Sequence, residues 1–101
     1  MVPAGPTSLT ICAPKAHRTI TSGYQALARA LDRLPTRIST HACSGSPGPG
    51  SYYELLFSYP QGPPVSVTVA VGCHPAIDNG GVQAASASSV MPIIRQLLKA
   101  K

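Results

Sequence analysis

Two stretches of strict alternation, separated by a proline–glycine turn, constrain this chain more than any other feature. Tyr53, Leu55, Phe57 and Tyr59 alternate with Tyr52, Glu54, Leu56 and Ser58. After Pro60-Gln61-Gly62-Pro63-Pro64, the residues Val65, Val67, Val69 and Val71 alternate with Ser66, Thr68, Ala70 and Gly72. A period of two places each set on one side of a strand. The pair reads as a β-hairpin with one packed face and one wet or thinly covered face. An isolated hairpin is marginal in water, so the rest of the chain must cover its apolar side.

The remaining elements follow from the same kind of pattern. Leu9, Ile11 and Ala13 alternate within Ser8 to Ala13 and predict a first strand, ended by Pro14; residues 14–20 read as a connection. Tyr24, Leu27, Ala28, Leu31 and Leu34 form one apolar stripe at helical spacing, with Thr21 or Ser22 as the expected cap and Pro35 as the stop. Ile38 to Cys43 reads as an irregular second strand, and Ser44 to Gly50 as a low-complexity loop. Asp78-Asn79-Gly80-Gly81 is a tight turn before a short return strand, Val82 to Ala85. Ser88 or Ser89 can cap a last helix carrying Pro92 in its first turn and an apolar face of Val90, Ile94, Leu97 and Leu98. The expected fold is α+β: an antiparallel sheet of four to five strands, covered on one face by two helices in a two-layer sandwich. Residues 1–7 read as a flexible lead or expression start, and 8–101 as a single domain.

At 101 residues the chain supports one core and no second module. Charged residues make up 11% of it, against about 25% in an average domain, and the formal net charge is +5. Asp32, Glu54 and Asp78 are the only acidic side chains, which argues against a carboxylate-pair mechanism or a hard-cation cage. The basic residues are scattered, and the aromatics gather in the Tyr52–Tyr59 strand away from them. Base-stacking surfaces interleave the two, so nucleic acid is not an expected partner. No apolar run approaches the 18 or more residues of a membrane span.

Several local patterns occur in a telling order. They are Ile11-Cys12 on the first strand, Ala30-Leu31-Asp32-Arg33-Leu34-Pro35 closing the helix, and His41-Ala42-Cys43 before the Gly/Pro-rich loop. They continue with Phe57-Ser58-Tyr59-Pro60-Gln61-Gly62 at the hairpin and Gly72-Cys73 followed by Asp78-Asn79-Gly80. In this the chain resembles small exported proteins and lipoproteins of actinobacteria that have no assigned function. The resemblance implies an extracellular or cell-envelope location, with any export signal removed, and no catalytic centre to carry over.

The cysteines fit that expectation. If the hairpin turns near Gly62, position 51 faces about position 73, and the 44–50 loop lets Cys43 fold back toward Cys73. A Cys43–Cys73 disulfide would close a loop worth roughly 3–4 kcal/mol. Cys12 then reads as a buried, inert thiol of a central strand. Against a disulfide stands a metal site of His41, Cys43, Cys73 and His74, disfavoured because Cys73 and His74 are neighbours pointing to opposite faces. Cys12 with His17 is a conceivable thiol–base pair, but a strand thiol five residues from a loop histidine reads as coincidence. The chain has no Gly-x-Ser-x-Gly elbow, so no enzyme and no cofactor are expected.

The sequence therefore points to a non-catalytic exported domain with a binding or structural role, its partner an unknown protein or envelope component. Candidate contact residues are Tyr52, Ser66 and Thr68 on the hairpin, with Pro49 and Gly62 in the flanking loops. A secreted protease inhibitor acting through the Pro/Gly-rich loop is the second reading. A small metal- or thiol-dependent activity is the third.

Overall fold

The computed structural model describes residues 1–13, 16–38, 52–73 and 75–99. Its strands are β1 (Ser8–Ala13), β2 (Ala16–Ile20), β3 (Arg37–Ile38), β4 (Tyr52–Ser58), β5 (Val65–Ala70), β6 (Ile77–Asp78) and β7 (Val82–Ala84). Its helices are α1 (Gln25–Arg33), between β2 and β3, and α2 (Met91–Lys99), after β7. The fold is α+β. All seven strands join one sheet in the order β2-β1-β4-β5-β6-β7-β3, and every neighbouring pair is antiparallel.

The strand count exceeds the expected four to five, and the surplus has a physical origin. Residues 16–20, expected as a connection, are strand β2, which returns along β1 from Ala13↔Ala16 to Leu9↔Ile20. Ile77–Asp78 is a second unexpected strand, two residues long and held by its partners rather than by any pattern of its own, whereas Arg37–Ile38 meets the start of the strand expected over Ile38 to Cys43, of which residues 39–43 lie outside the described residues. Asn79-Gly80-Gly81-Val82 makes the tight turn between β6 and β7. The Val82 amide donates to Asn79 Oδ1 at 2.8 Å, and Gly80 sits at φ +91°, the left-handed region that glycine enters without a Cβ penalty.

The alternation sorts the sheet into two faces. Leu9 and Ile11 of β1, Leu55 and Phe57 of β4, Val67 and Val69 of β5 and Ile77 of β6 are wholly buried and lie opposite one another across the strands. Leu27 and Leu31 of α1 and Met91 and Ile94 of α2 join the same apolar cluster. The expected Thr21 or Ser22 cap of α1 is not used. The residue before α1 is Tyr24, whose side chain makes no cap bond; its ring is buried and its hydroxyl donates to the Pro6 carbonyl at 2.8 Å. Before α2, Ser86 Oγ accepts from the Ser88 amide at 3.2 Å.

Residues 1–7, expected as a flexible lead, contain no helix or strand but pack against the domain. Val2 is 4% exposed and belongs to the core. The nitrogens of Met1 and Val2 donate to Asp32 Oδ1 at 3.0 and 2.7 Å, and Tyr59 Oη donates to the Pro3 carbonyl at 2.8 Å.

Candidate binding groove on the polar face

The second face of the sheet carries the chemistry. One residue from each strand falls into a single row across all seven: His17, Cys12, Glu54, Thr68, Asp78, Gln83 and Arg37, in the order β2 to β3. Every member is polar or reactive. Directly opposed residues project from the same face, with Cβ atoms about 4.5–5.5 Å apart. The row therefore gathers groups that the sequence scatters over 71 positions, from Cys12 to Gln83.

Hydrogen bonds fix its middle. Glu54 accepts from both hydroxyls of β5, Ser66 Oγ through a short bond to Oε1 and Thr68 Oγ1 at 3.2 Å to Oε2. Both carboxylate oxygens are thus directed toward β5. Asp78 accepts from the Gly80 amide at 2.7 Å and from Gln83 Nε2 at 3.2 Å. Gln83 is the buried polar side chain among the described residues, 2% exposed. Burying an amide is costly without hydrogen bonds, so its bond to Asp78 ties β7 to β6 at this point.

A groove of ≈ 460 Å³ lies over this region. Ser66, Thr68, Asp78 and Gln83 supply its polar lining, Tyr52 stands at one side, and the Asn79–Gly80 turn forms another wall. Tyr52 is 52% exposed, the largest exposed aromatic among the described residues. Such a site offers hydroxyl donors, an amide, a carboxylate and an aromatic face. It suits a polar ligand bearing hydroxyl or amino groups.

The structure brings Tyr52, Ser66 and Thr68 together in this groove and separates Gly62 from them. Gly62 lies in the exposed turn at the far end of β4 and β5, at φ +85° with nothing near its α-carbon substituent position. Pro49 lies outside the described residues, as do Cys43, His41 and His74. Cys73 is 1% exposed and lines a second hollow beside the start of α2, apart from the polar row. No metal-holding group of three or more His, Cys, Asp or Glu side chains occurs among the described residues.

Cys12 departs from its expected burial. It is the free cysteine among the described residues and is half-buried on the polar face, one strand in from the edge. Asp78, Gln83 and His17 were not among the expected contact residues. Only the alternation Ser66/Thr68 against Val67/Val69 signalled this face, because the other members depend on pairings between distant segments.

No helix of the described residues is long and apolar enough to cross a membrane. No protein-family model, curated protein or solved structure matches this chain.

Proposed function

We propose that this chain is a non-catalytic binding domain of the cell envelope or its exterior, and that the groove on the polar face of the sheet is its ligand site. In this reading the two helices form the second layer on the apolar face and leave the polar face for a partner. The observation that carries it is the groove itself: Tyr52, Ser66, Thr68, Asp78 and Gln83 come from four strands and converge around ≈ 460 Å³. In a chain of net charge +5, two of the three acidic residues, Glu54 and Asp78, sit on this face and flank Thr68. That arrangement favours a ligand with amino as well as hydroxyl groups, as amino sugars and amine-bearing peptides of envelope polymers provide. The resemblance to exported actinobacterial proteins supports the location; the Cys43–Cys73 cross-link expected from the sequence would belong to an oxidising compartment.

Nuclear magnetic resonance titration tests the assignment. A glucosamine oligomer and a peptide with free lysine amines should shift the amides of Tyr52, Thr68, Asp78 and Gly80. Glu54→Gln should weaken the amine-bearing probes about tenfold, the equivalent of ~1.4 kcal/mol. Shifts confined to the opposite end of the hairpin, near Gly62, would instead support a loop-borne inhibitor.

A further inference from the structure

We infer that the groove selects by hydrogen-bond polarity: it takes a primary ammonium group and discriminates against the same group once N-acylated or fully alkylated. This rests on the reading of the groove as a ligand site, and it names the ligand class. The protons of the lining carry it. Ser66 and Thr68 have hydroxyls, which by type can donate or accept. An ionised carboxylate can only accept, so both hydroxyl protons are directed at Glu54, from Ser66 Oγ to Oε1 and from Thr68 Oγ1 to Oε2 at 3.2 Å. A hydroxyl has a single proton, so what Ser66 and Thr68 present to the groove is lone pairs.

Other donors of the lining are turned inward in the same sense. Gln83 Nε2 donates to Asp78 Oδ2 at 3.2 Å, and Asn79 Nδ2 to the Met1 carbonyl at 2.8 Å. The backbone adds little. The Ala70 and Ala76 amides donate to the carbonyls of Ala76 and Ala84 at 2.7 and 3.1 Å. The Gly80 amide donates to Asp78 Oδ1 at 2.7 Å, and Pro75 has no N–H. The groove is therefore rich in acceptors, and its donors are committed within the fold. The Glu54 and Asp78 carboxylates add negative charge on either side of Thr68.

One chemistry matches such a surface. A primary ammonium carries a positive charge, three donors and no acceptor. It meets the hydroxyl lone pairs, the field of the two carboxylates and the exposed ring of Tyr52, whose face attracts cations. N-acylation removes the charge, leaves one N–H and adds a carbonyl, an acceptor facing acceptors. Trimethylation keeps the charge and removes every N–H. The first change is penalised by charge and hydrogen bonding together, the second by hydrogen bonding alone. The pair therefore separates polarity from plain electrostatic attraction. Glu54 sets that polarity from behind the hydroxyls. In Glu54→Gln the new amide can itself donate to one hydroxyl oxygen, which releases that hydroxyl's proton to the groove.

The test is a magnetic-resonance titration of the wild-type protein with a terminally blocked peptide bearing one lysine, and with its Nε-acetylated and Nε-trimethylated forms. The lysine form should bind most tightly. Acetylation should weaken it about tenfold and trimethylation several-fold, as the loss of charge-assisted hydrogen bonds requires. Glucosamine and N-acetylglucosamine oligomers, run in the same way, name the carrier. Whichever amine probe binds more tightly, sugar or peptide, supports the inference when its acetylated form binds less well. E54Q should bind the acetylated peptide more tightly than the wild type does, a gain that loss of negative charge alone would not give a neutral ligand. No such gain would overturn the place given to Glu54. Acetylated or trimethylated peptide binding as well as the lysine form would overturn the inference and leave the groove a site read by charge or ring alone. No shift at the groove amides with any probe would overturn the groove reading itself.

Discussion

The two faces of this sheet are made by the same backbone and the same alternation, yet they do different work. On one, Leu9, Ile11, Leu55, Phe57, Val67, Val69 and Ile77 are fully buried and join the helices in one apolar cluster. On the other, Cys12, Glu54, Thr68 and Asp78 are half-buried, and hydrogen bonds or strand register bring them together. The contrast teaches where stability and function separate. Burial supplies the first through area removed from water, which is insensitive to detail of orientation. The second face depends on which atoms meet, and so on register. A slip of one residue would send the groove residues into the core and the valines into the groove.

The sharpest way to break the comparison is to cut equally into both faces. Phe57→Ala removes the largest fully buried side chain and leaves a cavity, and should cost about 3–5 kcal/mol, measured as a fall in urea midpoint at unchanged m-value. Thr68→Val, on the same hairpin but the other face, keeps the shape and removes one donor to Glu54. It should cost only ~1 kcal/mol, because Ser66 still serves the carboxylate and the site is half-exposed. A Thr68→Val variant as unstable as Phe57→Ala would show that the polar face is structural and would remove the reason to regard it as a ligand site.

The comparison also explains what the sequence could and could not disclose. The β4–β5 hairpin, the α1 stripe and the Gly80 turn were legible because each is a local pattern of five or more residues or a turn with a glycine requirement. Strand β2 was not. Ala16-His17-Arg18-Thr19-Ile20 has only Ile20 as a large apolar residue and follows Pro14, so it reads as a connection. Its strand form comes from β1, which pairs with all five residues. Strands β3 and β6 are too short to show any period. Missing β2 and β6, and starting the strand after α1 at Ile38 rather than Arg37, hid the row as well, since His17, Asp78 and Arg37 lie in the stretches not read as strand. Ser66 and Thr68 were visible as groove candidates because they sit within the strongest alternation. The burial of Cys12 was misjudged for a related reason. β1 is one strand from the edge, and the odd-numbered Leu9, Ile11 and Ala13 take the packed side, leaving Cys12 on the other.

Tyr52→Ala sharpens the distinction from the opposite direction. Tyr52 is more than half exposed, so removing its ring should change stability by no more than about 0.5 kcal/mol. Its loss should nevertheless weaken groove ligands measurably, because an aromatic wall supplies stacking area and a face for cations. Calorimetric titration of the amino-sugar oligomer against wild type and Y52A, beside their urea curves, separates the two effects. Equal affinities for both proteins would move the ligand site away from this end of the groove.

The smallest expected effect lies at the margin of the apolar side, where the first residues close over α1 and the end of β4. Tyr59 donates to the Pro3 carbonyl, and its ionisation is pushed above the ordinary tyrosine value of about 10, by burial first and by the Asp32 carboxylate second. The phenol of the unfolded chain loses its proton at lower pH than that of the folded one. The stabilisation linked to this group is therefore complete below about pH 10 and fades as pH rises through the raised folded value. A tyrosinate absorbance titration, taken as the difference between wild type and Tyr59→Phe, isolates the residue. In an Asp32→Asn background the midpoint should move down but stay above the ordinary value, since desolvation is the larger cause. A Tyr59 that ionises at the ordinary value would mean that residues 1–7 do not lie against it in solution, and that the packed side ends at Ser8.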